Sequence, residues 1–345
     1  MTENIHFPES DIFPINTFVN NKKNISIGGV DLEELANIYG TPLYVYDENT
    51  IVETIKDFQT SFQSEIPNSV ISYSTKAFSN PYLLRLLDEN GMNIDVVTGG
   101  ELAIAKHVKF PPQRINFHGN NKSPEELKDA IDYGLGHITI DSFNEIENLK
   151  KITDDLNITQ DVMIRVSPSI DPHTHLLTTT GVLDSKFGFS IETGDAEKAI
   201  ESLMSIDSLN LLGLHFHLGS PIFELEPYAE AIEYVYKFSA EMKNKYGLDI
   251  REFSPGGGFA IGYETDKKPL PISDYAKIIG DAVKKACDLN GFNVPKIILE
   301  PGRALVGRSG VSIYRIGSIK SIPGVRNYIS VDGGMGDNIR PALYG

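Results

Sequence analysis

The chain has 345 residues, 41% of them hydrophobic and 23% charged, a composition typical of one large or two smaller globular domains that excludes a disordered or fibrous protein. Its formal net charge of -16, without a local basic patch, argues against a nucleic-acid partner. It lacks a signal-peptide pattern at its start and any run near the ~20 apolar residues of a membrane span, so we expect a cytoplasmic protein without a membrane partner.

Short β-rich runs alternate with amphipathic helical segments from residue 31 to residue 305. The pattern predicts eight strands, at 70–75, 93–98, 115–118, 137–141, 162–167, 211–217, 250–254 and 296–300. Several of the helices between them begin at a predicted capping residue, namely Ser79 before Pro81, Ser123 with Glu126, and Ser142 with Glu145.

Eight strands that alternate with helices predict an α/β fold, a (β/α)8 TIM-type barrel over residues 31–305. A doubly wound open sheet is the second interpretation, disfavoured because no Gly-rich dinucleotide turn follows the first strand.

The two ends of the chain do not show this alternation of strands and helices. Residues 1–30 contain a Gly28-Gly29 turn, and residues 306–345 contain strand patterns at 311–320 and 328–331. We expect 1–30 and 306–345 to form a second, β-rich domain that is incomplete in this chain.

The ends of the predicted strands carry polar groups, and in a barrel these ends meet at one mouth. The residues at those ends are Lys76, Asp95, His118, Asp141, Arg165, His217, Gly256, Gly257, Gly258, Glu300 and Arg303. A strand often ends in a polar residue simply because the chain leaves the core. That explanation accounts for any one of these residues but poorly for the whole set.

The run Gly256-Gly257-Gly258 follows a strand directly. Backbone without side chains can approach an anion and offer N–H groups to it, so a phosphate is the natural ligand. Arg303 and Ser220 could add contacts to that phosphate. A flexible loop would also be rich in glycine, so the run alone decides little.

Lys76 ends a mostly apolar strand that should be buried. A desolvated lysine has a lowered pKa and can form a Schiff base, whereas a lysine on the barrel rim would merely extend into solvent. An imine-forming lysine beside a phosphate site suggests pyridoxal 5'-phosphate. Glu300 could hold the pyridine nitrogen protonated, and His217 could lie flat on the ring. Metal binding by His215-x-His217 or His173-x-His175 is disfavoured because no Cys or Glu cluster completes either set, and we predict no metal.

At this point several motifs resemble one family. They are Gly40-Thr-Pro-Leu-Tyr-Val-Tyr-Asp47, Tyr73-Ser-Thr-Lys-Ala-Phe78, Asp95-Val-Val-Thr-Gly-Gly-Glu101, Phe117-His-Gly-Asn-Asn-Lys122, His173-Thr-His175 with Thr180-Gly181, Asp184-Ser-Lys-Phe-Gly188, His215-Phe-His-Leu-Gly-Ser220, Glu300-Pro-Gly-Arg303 and Arg340-Pro-Ala-Leu-Tyr344. Over nearly its whole length the chain resembles the alanine-racemase-like enzymes that use pyridoxal phosphate, and among them the diaminopimelate decarboxylases.

The resemblance implies decarboxylation of meso-2,6-diaminoheptanedioate to L-lysine, the last step of lysine biosynthesis. It implies that Lys76 and His217 are catalytic, with Lys76 carrying the cofactor as an imine. It further implies cofactor contacts from Asp95, His217, Ser220, Gly256, Gly257, Gly258, Glu300 and Arg303. Substrate contacts are implied for Arg303, Arg340 and Tyr344, and a homodimer with shared active sites is expected.

Two departures from the family pattern stand out. Pro221 occupies a position where family members usually have glutamine, and we expect it to alter the loop beside the phosphate. The chain ends at Gly345, where family members continue through a β-domain with Cys-Glu-Ser and Gly-Ala-Tyr segments, so a fragment without the C-terminal catalytic segment is expected.

Three other functions stay open from the sequence. The first is a decarboxylase of the same fold that acts on ornithine, arginine, D-lysine or carboxynorspermidine. The second is a non-catalytic pyridoxal-phosphate carrier, and the third is a metal-dependent barrel hydrolase. The motifs 173–188 and 340–344 favour the substrate with a second carboxylate, which needs extra cationic and hydroxyl groups.

Overall fold

The computed structural model describes residues 5–6, 12–171, 185–263 and 268–344. The chain divides into two compact units. One consists of Met1–Glu53, Gly262–Lys268 and Val306–Gly345, and the other of Thr54–Ile261 and Pro269–Leu305. The predicted domain bounds, 31–305 against the two ends, stay a prediction.

A small antiparallel sheet opens the first unit. The elements before the barrel are β1 (Ile5–His6), β2 (Phe18–Val19), β3 (Ile25–Ile27), β4 (Val30–Asp31), helix α1 (Leu32–Tyr39) and β5 (Leu43–Tyr46). Strands β1 to β4 pair in chain order. Gly28 and Gly29 form the predicted turn between β3 and β4, and both have positive φ angles, 57° and 84°, that favour glycine. Asp31 caps α1 by accepting from the N–H groups of Glu33 and Glu34.

The second unit contains the predicted barrel. Its strands are β6 (Ser69–Ser74), β7 (Asn93–Val96), β8 (Ile115–Phe117), β9 (His137–Ile140), β10 (Gln160–Ser167), the short β11 (Phe189–Ser190), β12 (Leu209–His215), β13 (Glu252–Gly256) and β14 (Lys296–Leu299). The helices are α2 (Glu48–Glu65), α3 (Pro81–Glu89), α4 (Gly99–His107), α5 (Pro124–Tyr133), α6 (Phe143–Leu156), α7 (Asp195–Met204), α8 (Glu226–Tyr246), α9 (Ile272–Asn290) and α10 (Arg303–Val306).

Eight parallel strands close the barrel in the order β10-β12-β13-β14-β6-β7-β8-β9, with β9 pairing back to β10. This arrangement confirms the predicted (β/α)8 fold and excludes the open sheet. The strands are buried along most of their length because side chains fill the barrel and helices cover its outside, as their apolar runs predict.

Helix starts show where local sequence rules succeed. Ser123 forms the predicted capping box with Glu126, and Ser142 accepts from the N–H of Glu145. The cap predicted at Ser79 is wrong. Asn80 caps α3 instead, because Pro81 is the first helical residue and the side chain just before it reaches the N–H of Leu83.

The C-terminal part of the first unit is rich in strands, as predicted. It contains β15 (Gly310–Ile313), β16 (Ile316–Ile322), β17 (Arg326–Val331) and α11 (Arg340–Tyr344). The single strand predicted at 311–320 is two strands, because β15 pairs with β5 while β16 pairs with β17. Between them the backbone of Arg315 bonds to Asp332 through both its N–H and its carbonyl. None of the helices in the described ranges combines the length and apolar character that a membrane crossing requires.

Candidate active site

The first and last strands of the barrel bring Lys76 and Glu300 to one place. Strand β14 pairs with β6, and just beyond them the N–H of Ser74 donates to the carbonyl of Pro301 at 3.1 Å. A Cβ added at Gly302 would lie 3.2 Å from the Cβ of Ala77. The Lys76 segment and the Glu300–Arg303 segment therefore lie side by side at the mouth formed by the carboxyl ends of the strands.

Lys76 lies in a short 3-10 turn, Thr75–Ala77, directly after β6. More than a third of its surface is open to solvent, yet protein atoms fill most of the volume around its amine. This enclosure lowers the pKa of Lys76, and the positive charge of Arg165 lowers it further, against the opposing effect of Glu300 and Asp95. The amine is thus easier to deprotonate than that of an ordinary lysine, which suits imine formation.

Glu300 is a buried carboxylate surrounded by hydrogen-bond donors. His215 Nε2 lies 3.1 Å from Oε2, and Ser254 Oγ donates to Oε1 at 2.6 Å. Burial alone would raise the pKa of Glu300, but the interactions with His215, His118 and Ser254 outweigh it and hold that pKa well below its usual value. Because an ionised carboxylate can only accept, we assign the proton of this hydrogen bond to His215 Nε2.

Asp95 shows the opposite behaviour at the end of β7. Burial raises its pKa well above the usual value, and the charge of Glu300 raises it further, against hydrogen bonds from Ser72 at 2.5 Å and Asn116 at 3.1 Å. The pKa values of the two carboxyl groups are therefore shifted in opposite directions, and Glu300 is the one whose ionised form is favoured. This difference favours a negative charge on Glu300, which can face a cationic ligand atom.

His217 follows β12 and is oriented by the glycine run. The N–H of Gly257 donates to His217 Nδ1 at 3.2 Å, which assigns the ring proton to Nε2. Burial lowers the pKa of His217 well below its usual value, and the charges of Lys76 and Arg165 lower it further. The imidazole is therefore neutral at neutral pH.

The three glycines are needed for close packing of neighbouring backbone. A Cβ at Gly257 would lie 2.0 Å from the carbonyl oxygen of Glu300, and one at Gly258 would lie 2.4 Å from that of Gly219. Gly256 and Gly258 also have positive φ angles of 76° and 105°. From the sequence, the glycine run was interpreted as a phosphate-binding turn. In the structure it also allows β12, β13 and β14 to come close together at their carboxyl ends.

Ser220 and Arg303 lie beside these groups. Ser220 is half-buried in the segment after β12, between Gly219 and Ile222, which both contact Gly258. Arg303 begins α10 directly after the segment that packs on Ala77. The structure therefore brings nine predicted residues to one mouth, namely Lys76, Asp95, His217, Ser220, Gly256, Gly257, Gly258, Glu300 and Arg303.

The remaining predicted residues belong to the other unit or lie outside the described residues. Arg340 belongs to the other unit, where its guanidinium lies 5.4 Å from the centre of the Tyr263 ring. Tyr344 ends α11 in that unit, and its side chain lies outside the described residues. The motif residues His173, His175, Thr180, Gly181 and Asp184 also lie outside them.

Four further residues line the mouth. The sequence places Arg165 and His118 at strand ends without a specific role, considers His215 only in a disfavoured metal pair, and gives Ser254 no role. Burial lowers the pKa of the Arg165 guanidinium, which stacks 4.4 Å from the centre of the Phe187 ring. His215 was predictable, since it lies two residues before His217 and alternate strand residues share a face. The contact between His118 and Glu300, 3.6 Å from Nε2 to Oε1, depends on barrel closure and carries no local signal.

Three described side chains lie close enough together to hold a metal ion. Among the described residues, His118, His215 and Glu300 place one ligand atom each within 4.8 Å of one another. This set differs from both pairs considered from the sequence. Its carboxylate is the same anion that faces the mouth, so a metal there would take the place of a cationic cofactor atom.

A (β/α)8 barrel whose mouth holds a lysine with a lowered pKa, a buried carboxylate whose ionised form is favoured and a glycine turn is typical of barrel enzymes that use pyridoxal phosphate. Comparison with known proteins agrees. A family described as "Pyridoxal-dependent decarboxylase, pyridoxal binding domain" matches residues 49–307. Diaminopimelate decarboxylase of Bacillus subtilis is 44% identical over 325 residues, which cover 94% of this chain and 74% of that protein.

A second relative, diaminopimelate decarboxylase of Halalkalibacterium halodurans, is 43% identical over 94% of this chain and 74% of its own length. The crystal structure of diaminopimelate decarboxylase from M. jannaschii in complex with L-lysine matches with a TM-score of 0.88 and 34% identity, over 95% of this chain and 75% of that one. The chain belongs to the diaminopimelate decarboxylase family of pyridoxal-dependent decarboxylases.

Proposed function

We propose that the protein decarboxylates meso-2,6-diaminoheptanedioate to L-lysine and carbon dioxide with pyridoxal 5'-phosphate as cofactor. The observation that carries the proposal is the pair formed at the barrel seam, an amine with a lowered pKa beside a carboxylate that stays ionised. Relatives that carry the name of this enzyme support the substrate, as do solved structures of the M. jannaschii and Helicobacter pylori enzymes with L-lysine.

The residues at the mouth fit the cofactor. Lys76 would bind it covalently, Glu300 would face its ring nitrogen, and His217 would lie on its ring. The glycine run, Ser220 and Arg303 would hold its phosphate. When bound, pyridoxal phosphate supplies an electron sink for the bond that breaks at the substrate carbon.

The chain's own groups orient the reaction. Glu300, whose lowered pKa favours its ionised form, stabilises a proton on the atom it faces, and the raised pKa of Asp95 disfavours a second negative charge beside it. Arg165 lowers the pKa of Lys76 and thereby increases the share of neutral, nucleophilic amine. These effects act through fixed positions, since the barrel holds each group on a strand end.

The substrate and assembly parts of the proposal rest on the family. Arg303, Arg340 and Tyr344 would bind the substrate, whose second carboxylate distinguishes it from ornithine and arginine. The protein would act in the cytoplasm as a homodimer with shared active sites. Its barrel would span 31–305, with 1–30 and 306–345 in the β-rich domain.

The test is release of carbon dioxide from several amino acids under identical conditions. We expect meso-2,6-diaminoheptanedioate to react at least about 100-fold faster than ornithine, arginine, D-lysine or carboxynorspermidine, because a site built to pair a carboxylate is left unsatisfied by substrates without it. Lys76→Ala is the matched inactive control. Faster release from one of the competing substrates would assign the protein to another decarboxylase of the same fold.

A further inference from the structure

The carbonyl groups of the glycine turn, Gly256–Gly258, are all engaged by protein donors. Gly256 accepts from the N–H of Glu300 at 3.0 Å, and Gly258 accepts from the N–H of Ile222 at 2.7 Å. The carbonyl of Gly257 accepts from a side chain, the hydroxyl of Tyr228, at 2.7 Å. Because each of these three carbonyl oxygens accepts a hydrogen bond from the protein, none is left unpaired to repel a phosphate.

The N–H groups of the turn are used unequally. Gly256 donates to Ser254 Oγ at 3.1 Å, and Gly257 donates to His217 Nδ1 at 3.2 Å. Within 12–171, 185–263 and 268–344, the Gly258 N–H makes no hydrogen bond. The sequence suggested that the glycine run offers several N–H groups to an anion, whereas within the run only the N–H of Gly258 is left for a ligand. Buried backbone donors are seldom left unpaired, so this one indicates a ligand position.

Tyr228 fixes the direction of that donor. The Gly257–Gly258 peptide is trans, so its C=O and N–H point in opposite directions. When the Tyr228 hydroxyl holds the carbonyl, it also sets where the Gly258 N–H points. Without this hydrogen bond the Gly257–Gly258 peptide could adopt other orientations, because glycine has no Cβ to restrict its backbone angles and Gly258 has a φ of 105°.

The hydroxyl itself is well held. Tyr228 is fully buried on α8, its ring stacks on Phe259 with centroids 6.2 Å apart, and it meets the ring of Tyr275 edge-on at the same distance. Burial raises the pKa of Tyr228 well above its usual value, so the phenol keeps its proton and remains a donor.

We propose that Tyr228 is a positioning residue for the cofactor phosphate, because its hydroxyl aims the Gly258 N–H at a phosphate oxygen. The proposal rests on the assignment, under the proposed function, of the phosphate to the glycine turn. In this arrangement a tyrosine on α8, outside the mouth, fixes the direction of a backbone donor of the glycine run inside the mouth.

The experiment compares two ligands that differ only in the phosphate, pyridoxal phosphate and pyridoxal, bound to the full chain and followed by imine absorbance. Tyr228→Phe removes only the hydroxyl. We expect the affinity for pyridoxal phosphate to fall about 5- to 10-fold while the affinity for pyridoxal is unchanged, as loss of one oriented donor to a charged group implies. The control is Tyr236→Phe, a buried tyrosine of the same helix that packs on Phe253 and Phe292, and it should leave both affinities unchanged.

Each outcome decides the matter. Equal weakening of both ligands by Tyr228→Phe would reveal a general structural role and overturn the proposal, as would unchanged binding of both. If the unaltered protein binds pyridoxal as tightly as pyridoxal phosphate, the phosphate assignment itself is wrong. Thermal unfolding followed by circular dichroism separates these results from a folding defect, since the expected phosphate-specific loss occurs in a variant that stays folded.

Discussion

Glu252 lies at the amino ends of the barrel strands, opposite the active-site mouth. It tests how much a buried, ionised carboxylate contributes to the free energy of unfolding. Its side chain is only 15% exposed near the start of β13. His137 Nδ1 lies 3.4 Å from Oε2, and Lys296 Nζ lies 2.9 Å from Oε1. Burial alone would raise the pKa of Glu252, but the hydrogen bonds and charges of His137 and Lys296 lower it to about 2.

The fall in the pKa of Glu252 from an ordinary value of 4.5 to about 2 sets the size of its contribution to stability. At 1.36 kcal/mol per pKa unit, ionised Glu252 contributes about 3 kcal/mol to the free energy of unfolding at neutral pH. A carboxyl group whose pKa is lowered by folding stabilises the protein fully above its unfolded pKa. The contribution is then lost as the pH falls from about 4.5 towards about 2.

The variant Glu252→Gln should therefore be about 3 kcal/mol less stable than the unaltered protein at pH 7, and the difference should shrink steadily below pH 4.5. Urea unfolding followed by circular dichroism measures both values, since the chain contains no tryptophan. Glu147→Gln, on the exposed face of α6, is the control and should change stability by less than about 0.5 kcal/mol at either pH. A difference for Glu252→Gln that stays constant between pH 7 and pH 3 would refute this reasoning.

Three further predictions concern the mouth. Pyridoxal phosphate should give the unaltered protein an imine absorbance band that borohydride bleaches, and Lys76→Ala should lack it; a band that persists in the variant would show that another amine binds the cofactor. Glu300→Gln should lower the turnover number for carbon dioxide release by about 100-fold while the imine band remains, because only the anion facing the ring is lost; full activity would remove Glu300 from the mechanism. Gly257→Ala should weaken cofactor binding at least about 10-fold, since its Cβ would lie 2.0 Å from the Glu300 carbonyl oxygen. Gly317→Ala, whose Cβ would meet its nearest neighbour at an ordinary 3.9 Å, should have no effect on that affinity.

The barrel was predictable because the hydrophobic pattern that marks each strand and helix is local and repeats along the chain. Each strand is a short buried run and each helix an amphipathic one, so all eight strands of the closed sheet coincide with predicted runs within a few residues. Closure then follows from the fold, and it places Lys76 beside Glu300 although the two are far apart in sequence. For this reason the central pair of the site could be predicted before the structure.

Other features depend on tertiary contacts that leave no local pattern. The clash that demands glycine at Gly257 involves the Glu300 carbonyl, which belongs to another strand. The opposite pKa shifts of Asp95 and Glu300 depend on which carboxyl group the histidines face. The break between β15 and β16 was missed because the apolar run continues while the pairing partner changes.

The pairing of β6 with β14 has a consequence for biosynthesis of the protein. Ser74 and Glu300 are 226 residues apart, and their segments meet only when the last strand docks. At ~5–20 residues per second, roughly 10–45 s of translation separate the synthesis of Lys76 from that of Glu300. The enclosure that lowers the pKa of Lys76 forms only when these segments meet, so we expect the cofactor to bind after the polypeptide has left the ribosome and the ring of strands is complete.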